Sequence, residues 1–162
     1  MGFDLNGLQP KIEEGTTLPT IDWKNKPSEE EKSDYFRDLE EFHNLNPGVY
    51  FRNNIWWWHP MWSFIGEFMG GDVLSDQDKE RGHFNDGYKI NAIKANYIAD
   101  QINKYYFNGE LEKAALQLDK IRDEELTTKP KTDEILATVP FSVANCLEFG
   151  TFARNSGGFT ID

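Results

Sequence analysis

Cysteine is almost absent from this chain: Cys146 stands alone. That excludes an internal disulfide and any zinc site built on several thiolates, and it suits a reducing compartment. Histidine is nearly as scarce. His43, His59 and His83 are scattered along the chain without the spacing of a metal motif, so no metal and no cofactor is expected. Apolar runs are short. None approaches the roughly 18 consecutive apolar residues of a membrane-spanning helix, and the opening MGFDLNGLQPKIEEG has neither the basic start nor the apolar stretch of a signal peptide. Met1-Gly2 is followed at position 6 by Asn6, where a myristoylation signal wants Ser or Thr. The expected location is therefore cytoplasmic, with no membrane partner. Positive charge is in deficit, 17 Lys and Arg against 28 Asp and Glu for a net −11. Such a charge repels phosphate backbones at long range and disfavours direct nucleic-acid binding. Walker loops, dinucleotide glycine fingerprints, nucleophile elbows and HExxH metal helices are also missing.

What is present suits one domain spanning residues 1–162. A chain of this size buries roughly 70% of its unfolded surface and needs no covalent staple to fold. Phe3-Asp4-Leu5-Asn6-Gly7-Leu8 alternates apolar and polar residues before a turn and is predicted to be a strand. Ser28 followed by Glu29, Glu30 and Glu31 has the cap and first-turn acids of a helix start. Tyr35, Leu39 and Phe42 give that helix one apolar stripe, and its other face is acidic, so residues 28–45 are expected to lie at the periphery. Pro60 is predicted to open a buried helix through Met61, Phe64, Ile65 and Phe68, ended by Gly70-Gly71. Ser75 caps a short acidic turn, and residues 82–87 read as loop.

Asn91 is predicted to cap a helix carrying Ala92, Ala95, Ile98, Ala99 and Ile102, stopped by Asn108-Gly109. A second runs from Glu110 to about Glu125 with Leu111, Ala115, Leu118 and Ile121 on one face, forming a helical hairpin with the first. Residues 127–132 are expected to be a flexible loop. Ser142 caps a last helix with Val143, Cys146, Leu147 and Gly150 on one side, broken by Ser156-Gly157-Gly158; Phe159 and Ile161 then alternate as a terminal strand. An isolated strand leaves its backbone groups without partners. The fold class predicted is therefore mostly α (α+β): a compact helical domain with a small two-stranded sheet pairing the N- and C-terminal strands.

The unusual segment is the tryptophan run. Trp56, Trp57 and Trp58, with Trp62 close by, cannot all face one core, because three adjacent positions sweep about 200° of a helix and alternate sides on a strand. At least one ring is expected to meet another apolar layer, a partner or a ligand. Arg52, Asn53, Asn54 and His59 flank the rings and bring charge and amide hydrogen bonding beside flat stacking surfaces. That combination suits a nucleobase or sugar ring, stacked by indole and held at its polar edge. The alternative is that the rings form core while Asn53 and Asn54 cap or brace the chain. A second candidate is His83-Phe84-Asn85-Asp86-Gly87, where His83 and Asp86 have the spacing of a base and its orienter, although Asn-Asp-Gly is first a turn signal. The candidate ligand-binding set is thus Arg52, Asn53, Asn54, Trp57, Trp58, His59, His83, Asn85 and Asp86. No catalytic residue is assigned. Cys146 lies on an apolar stripe with no activating neighbour and reads as packing.

The start Met1-Gly2-Phe3-Asp4-Leu5-Asn6-Gly7-Leu8, the run Tyr50 to Trp62 (YFRNNIWWWHPMW), the loop Gly82-His-Phe-Asn-Asp-Gly87 and the ending Pro140-Phe-Ser-Val with Asn155-Ser-Gly-Gly-Phe159 together resemble an uncharacterised family of small bacteriophage and bacterial proteins. This chain has His59 where Arg is common in that family, and it lacks a cysteine-rich insertion that some relatives carry before the last helix, so zinc is not implied. The resemblance implies a phage or prophage setting, hence a host cytoplasm, and no mechanism. Three functions are compatible with the residues. One is a non-enzymatic accessory protein binding a small nucleotide- or sugar-like ligand near Arg52, Asn54, Trp57 and Trp58. Another is an acidic interaction module, an inhibitor or DNA mimic acting on a host protein through Glu29, Glu30, Glu31, Asp34, Asp38 and Glu41. The third is an enzyme using His83 with Asp86 or Glu67 for acid-base work.

Overall fold

Alternation in the first residues becomes strand β1, Gly2–Gly7, with Phe3 and Leu5 buried on one face. A computed structural model describes residues 2–128 and 141–162, and in it β1 is joined on one side by β2, Tyr50–Asn54, and on the other by β4, Gly158–Ile161. The predicted pairing of the two terminal strands is present, antiparallel, with Leu5 opposite Ile161. The sheet, however, has four strands rather than two. β3, Tyr88–Asn91, pairs antiparallel with β4, giving the order β2-β1-β4-β3. Both unforeseen strands are edge strands of five and four residues, too short for a period-2 pattern to separate from the polar loops around them.

One face of the sheet carries Phe3, Leu5, Asn53, Ile90, Phe159 and Ile161, all buried. Helices α2, α4 and α6 pack on the sheet, and α4 also packs on α6. Here α1 is Glu29–Leu45, α2 Ile55–Phe64, α3 Asp76–Arg81, α4 Ala92–Phe107, α5 Glu110–Thr128 and α6 Val143–Ser156. Ser28 caps α1 through the predicted capping box, and only Phe42 of that helix is buried. Asn91 caps α4 and Ser142 caps α6. α5 contacts α4 but runs further than predicted, so Thr127 and Thr128 are helical and the remainder of the 127–132 segment lies outside the described residues. Among the described residues no helix is long and apolar enough to cross a membrane.

The tryptophan segment departs most from expectation. Pro60 does not open the helix; α2 begins five residues earlier at Ile55, with the Asn54 side chain accepting from the Trp57 amide at 3.0 Å. A proline at that depth removes one intrahelical hydrogen bond, yet Trp58, Met61, Trp62 and Phe64 are all buried. Burial of several large side chains, about 1.5–3 kcal/mol each, outweighs that loss. The helix then widens into a π-helical turn, Ile65–Met69, where the Tyr105 hydroxyl donates to the Phe68 carbonyl at 2.7 Å. In the core the Trp58 and Trp62 rings stack at 5.3 Å, and Phe149 stands edge-on to Trp58 at 5.4 Å. Both indole N–H groups are satisfied by main chain, Trp58 on Gly82 at 2.7 Å and Trp62 on Lys79 at 3.0 Å. A β-carbon at position 82 would collide with the Trp62 ring, so glycine there lets α3 close over the indoles.

Candidate functional site

Because β2 runs directly into α2, the residues that end the strand also start the helix. Arg52, Asn53 and Asn54 therefore stand beside the first turn of α2, where Trp57 is half-buried. The first turns of α6 arrive from the far end of the sequence and close the opposite wall with Ser142, Ala144, Asn145 and Glu148, while Gly2 of β1 completes the rim. These residues enclose an open cleft of about 680 Å³, within the usual size range of small-molecule sites. Four of the residues singled out from the sequence, Arg52, Asn53, Asn54 and Trp57, meet here.

The hydrogen-bond accounting of the cleft is uneven. Asn54 Oδ1 is committed to capping α2, and Ser142 Oγ accepts from the Asn145 amide at 3.1 Å to cap α6. Asn145 Nδ2 reaches Met61 Sδ at 3.5 Å. Arg52 has only a loose ion pair, its Nε 3.5 Å from Asp4 Oδ1, and its side chain is 67% exposed. Asp4 is itself engaged by the Tyr50 hydroxyl; burial first, then this hydrogen bond to Asp4, push the Tyr50 phenol up to about 12. Asn53 is different from all of these. Its side chain shares the buried face of the sheet, the residue is only 7% exposed, and its Nδ2 has no hydrogen-bond partner among the described residues. The other buried polar side chains, Asn46, Asp78 and Ser156, each make hydrogen bonds. An unmatched buried amide costs about 1–3 kcal/mol.

Trp58 and the two histidines lie elsewhere. Trp58 is fully buried in the aromatic core and does not line the cleft. His59, one residue further round α2, meets His83 from the loop after α3, with the two Nδ1 atoms 2.8 Å apart and Phe3 edge-on to His59. One ring must donate and the other accept, so this contact holds one proton and not two. Burial lowers the pKa of both imidazoles, and for His83 the neighbouring His59 adds to the effect. Ser63 Oγ lies 3.5 Å from His83 Nε2 at the edge of a separate, smaller hollow bordered by Glu67 and Lys79. The spacing that suggested a His83–Asp86 pair is not used that way: Asp86 takes an ion pair from Arg81 at 2.5 Å. Asn85 and Asp86 are exposed in the turn, where Gly87 supplies a positive φ of 79°. Cys146 is buried in α6, and burial pushes its thiol up to about 12, which keeps it protonated.

Sequence reasoning missed the α6 wall. Ser142 is readable as a helix cap, but its arrival opposite Asn54 depends on how α6 crosses the sheet, a long-range fact with no local signature. Compared with protein-family models, curated proteins and solved structures, the chain matches none.

Proposed function

We propose that this is a non-enzymatic accessory protein, in the phage or prophage setting that its motifs suggest, which binds a small nucleotide- or sugar-like molecule in the cleft between β2, α2 and α6. The observation that carries this is the Asn53 carboxamide, buried, unmatched and set in the wall of a cleft that also holds a half-buried indole and a loosely paired guanidinium. A ligand acceptor would satisfy the amide, Trp57 offers a flat ring to stack on, and Arg52 and Asn54 Nδ2 supply further donors. The Ser142 hydroxyl and Asn54 Oδ1 already serve as helix caps, which suits the lining to recognition rather than to nucleophilic attack. A thermal-shift and tryptophan-fluorescence screen of nucleotides, cyclic nucleotides and sugars tests the proposal. Binding that Asn53→Leu and Trp57→Ala each weaken supports it, and a screen in which no compound moves either signal refutes it.

One observation favours a second reading, an interaction module acting on a host protein. α1 exposes Glu29, Glu30, Glu31, Asp34, Asp38 and Glu41 on a helix with a single buried residue. Beside this acidic face, Trp23 and Phe36 are each more than half exposed and cluster with Tyr35, ring centroids 5.3–6.2 Å apart. Pull-down from host lysate separates the readings: a partner held by the carboxylates is lost as salt rises, and no partner at low salt removes this reading.

A further inference from the structure

The cleft lies where two helices begin. α2 starts at its Asn54 cap and α6 at its Ser142 cap, and both caps line the same cavity. Each helix start carries about half a positive charge and amides without intrahelical acceptors. The caps take up the Trp57 and Asn145 amides, and the earlier amides of both helices have no acceptor within their own helix. Where α1, α3 and α5 begin, the chain supplies its own counter-charge: Glu29, Glu30 and Glu31 in α1, Asp76 and Asp78 in α3, Glu110 and Glu112 in α5. The first turns of α2 and α6, like that of α4, contain no acid, and of these three only α2 and α6 open onto the cleft. Independently of the helices, the unmatched Asn53 Nδ2 and the loosely paired Arg52 guanidinium add a buried amide NH2 group and one full positive charge to the same wall.

From this juxtaposition we infer that the cleft binds its ligand through an anionic oxygen group, a phosphate or carboxylate, seated between the two helix starts and Arg52, with the ring of the same molecule on Trp57. The inference rests on the binding reading above and narrows it from any polar ring to a charged one. Glu148 is the one acid in the lining. It belongs to the second turn of α6, beyond the positive end of the helix, and accepts from a hydroxyl or amine at the far end of the ligand. The net charge of −11 acts over the whole surface and is screened beyond about 8–10 Å, whereas the donors of the cleft act in contact.

Matched probe pairs test this: adenosine with adenosine 5′-monophosphate, glucose with glucose 6-phosphate, and benzamide with benzoate, each titrated into the full chain by calorimetry. The charged member of at least one pair is expected to bind roughly ten-fold or more tightly than the neutral member, a gap of about 1.4 kcal/mol. That gap should shrink at high salt and on Arg52→Gln, survive Arg52→Lys, and widen on Glu148→Gln. A gap in the phosphate pairs alone identifies phosphate as the source, and a gap in the carboxylate pair alone identifies carboxylate. Neutral members that bind as well as charged ones overturn the anion inference and leave the cleft reading standing. If no member of any pair binds, the cleft reading fails and takes the inference with it. Circular dichroism of each variant confirms that it is folded.

Discussion

Asp78 and Asn53 are both buried polar side chains at the edge of the same aromatic core, and they are treated in opposite ways. Asp78 is 1% exposed, and its carboxylate accepts from the Ser75 amide at 2.7 Å, the Ser75 hydroxyl at 2.8 Å, the Tyr88 hydroxyl at 3.0 Å and Lys94 Nζ at 2.6 Å. Those bonds tie α3 to β3 and α4. Asn53 ties nothing to anything through its Nδ2. A buried polar group that is fully matched positions elements against one another, and one that is left unmatched costs stability for no structural return. Within one core, the second kind has no account in folding, and the ligand proposed for the cleft would supply one.

The sharpest way to break the comparison is at Asp78. Asp78→Ala leaves Lys94 and Tyr88 without their acceptor and should destabilise the protein by about 3–5 kcal/mol in urea unfolding. Acid attacks the same cluster. Burial alone would raise the Asp78 pKa, but the hydrogen bonds from Lys94, Ser75 and Tyr88 outweigh it and hold the carboxyl below its usual range. A depressed carboxyl contributes stability above its unfolded pKa, and that contribution is lost as pH falls toward and through the lowered value. The imidazoles respond earlier: burial lowers the pKa of His43, His59 and His83, so their stabilising share is complete above the ordinary histidine pKa and declines as pH drops below it. Melting temperature followed from pH 8 to pH 3 should therefore fall in two stages, and the first stage should diminish in a His59→Gln, His83→Gln protein.

A smaller effect is expected at Asn54→Ala, which removes the α2 cap and should cost about 1 kcal/mol. The smallest concerns the other half of the comparison. Asn53→Leu removes an unmatched amide from an apolar face and should be neutral or stabilising by up to about 1 kcal/mol, while weakening ligand binding. A large loss of stability in that variant would show that Asn53 is structural after all.

How much of this was legible in the sequence follows from the range of the interaction. Caps are local, and Ser28, Ser75, Asn91 and Ser142 all cap the helices their neighbours announce. The pairing of the terminal strands followed from the backbone hydrogen bonds each strand needs. Pro60 misled because proline is informative at a helix start, and here the packing of Trp58, Met61 and Trp62 overrode it. Adjacent indoles had to face different surroundings, and they do, Trp57 toward the cleft and Trp58 into the core. That His59 would meet His83 while Asp86 turned to Arg81 depended on the path of the chain after α3, which no spacing encodes.

The position of β4 bears on how the molecule comes into being. The strand sits between β1 and β3, so the two halves of the sheet share no backbone hydrogen bonds until residues 158–161 have been added. During synthesis on the ribosome, β1 with β2 on one side and β3 on the other have to wait for the last strand described here to emerge. Contacts of such long sequence separation make folding slow, and a nascent chain stopped short of Ile161 would present unpaired strand edges to any aggregation partner or chaperone nearby.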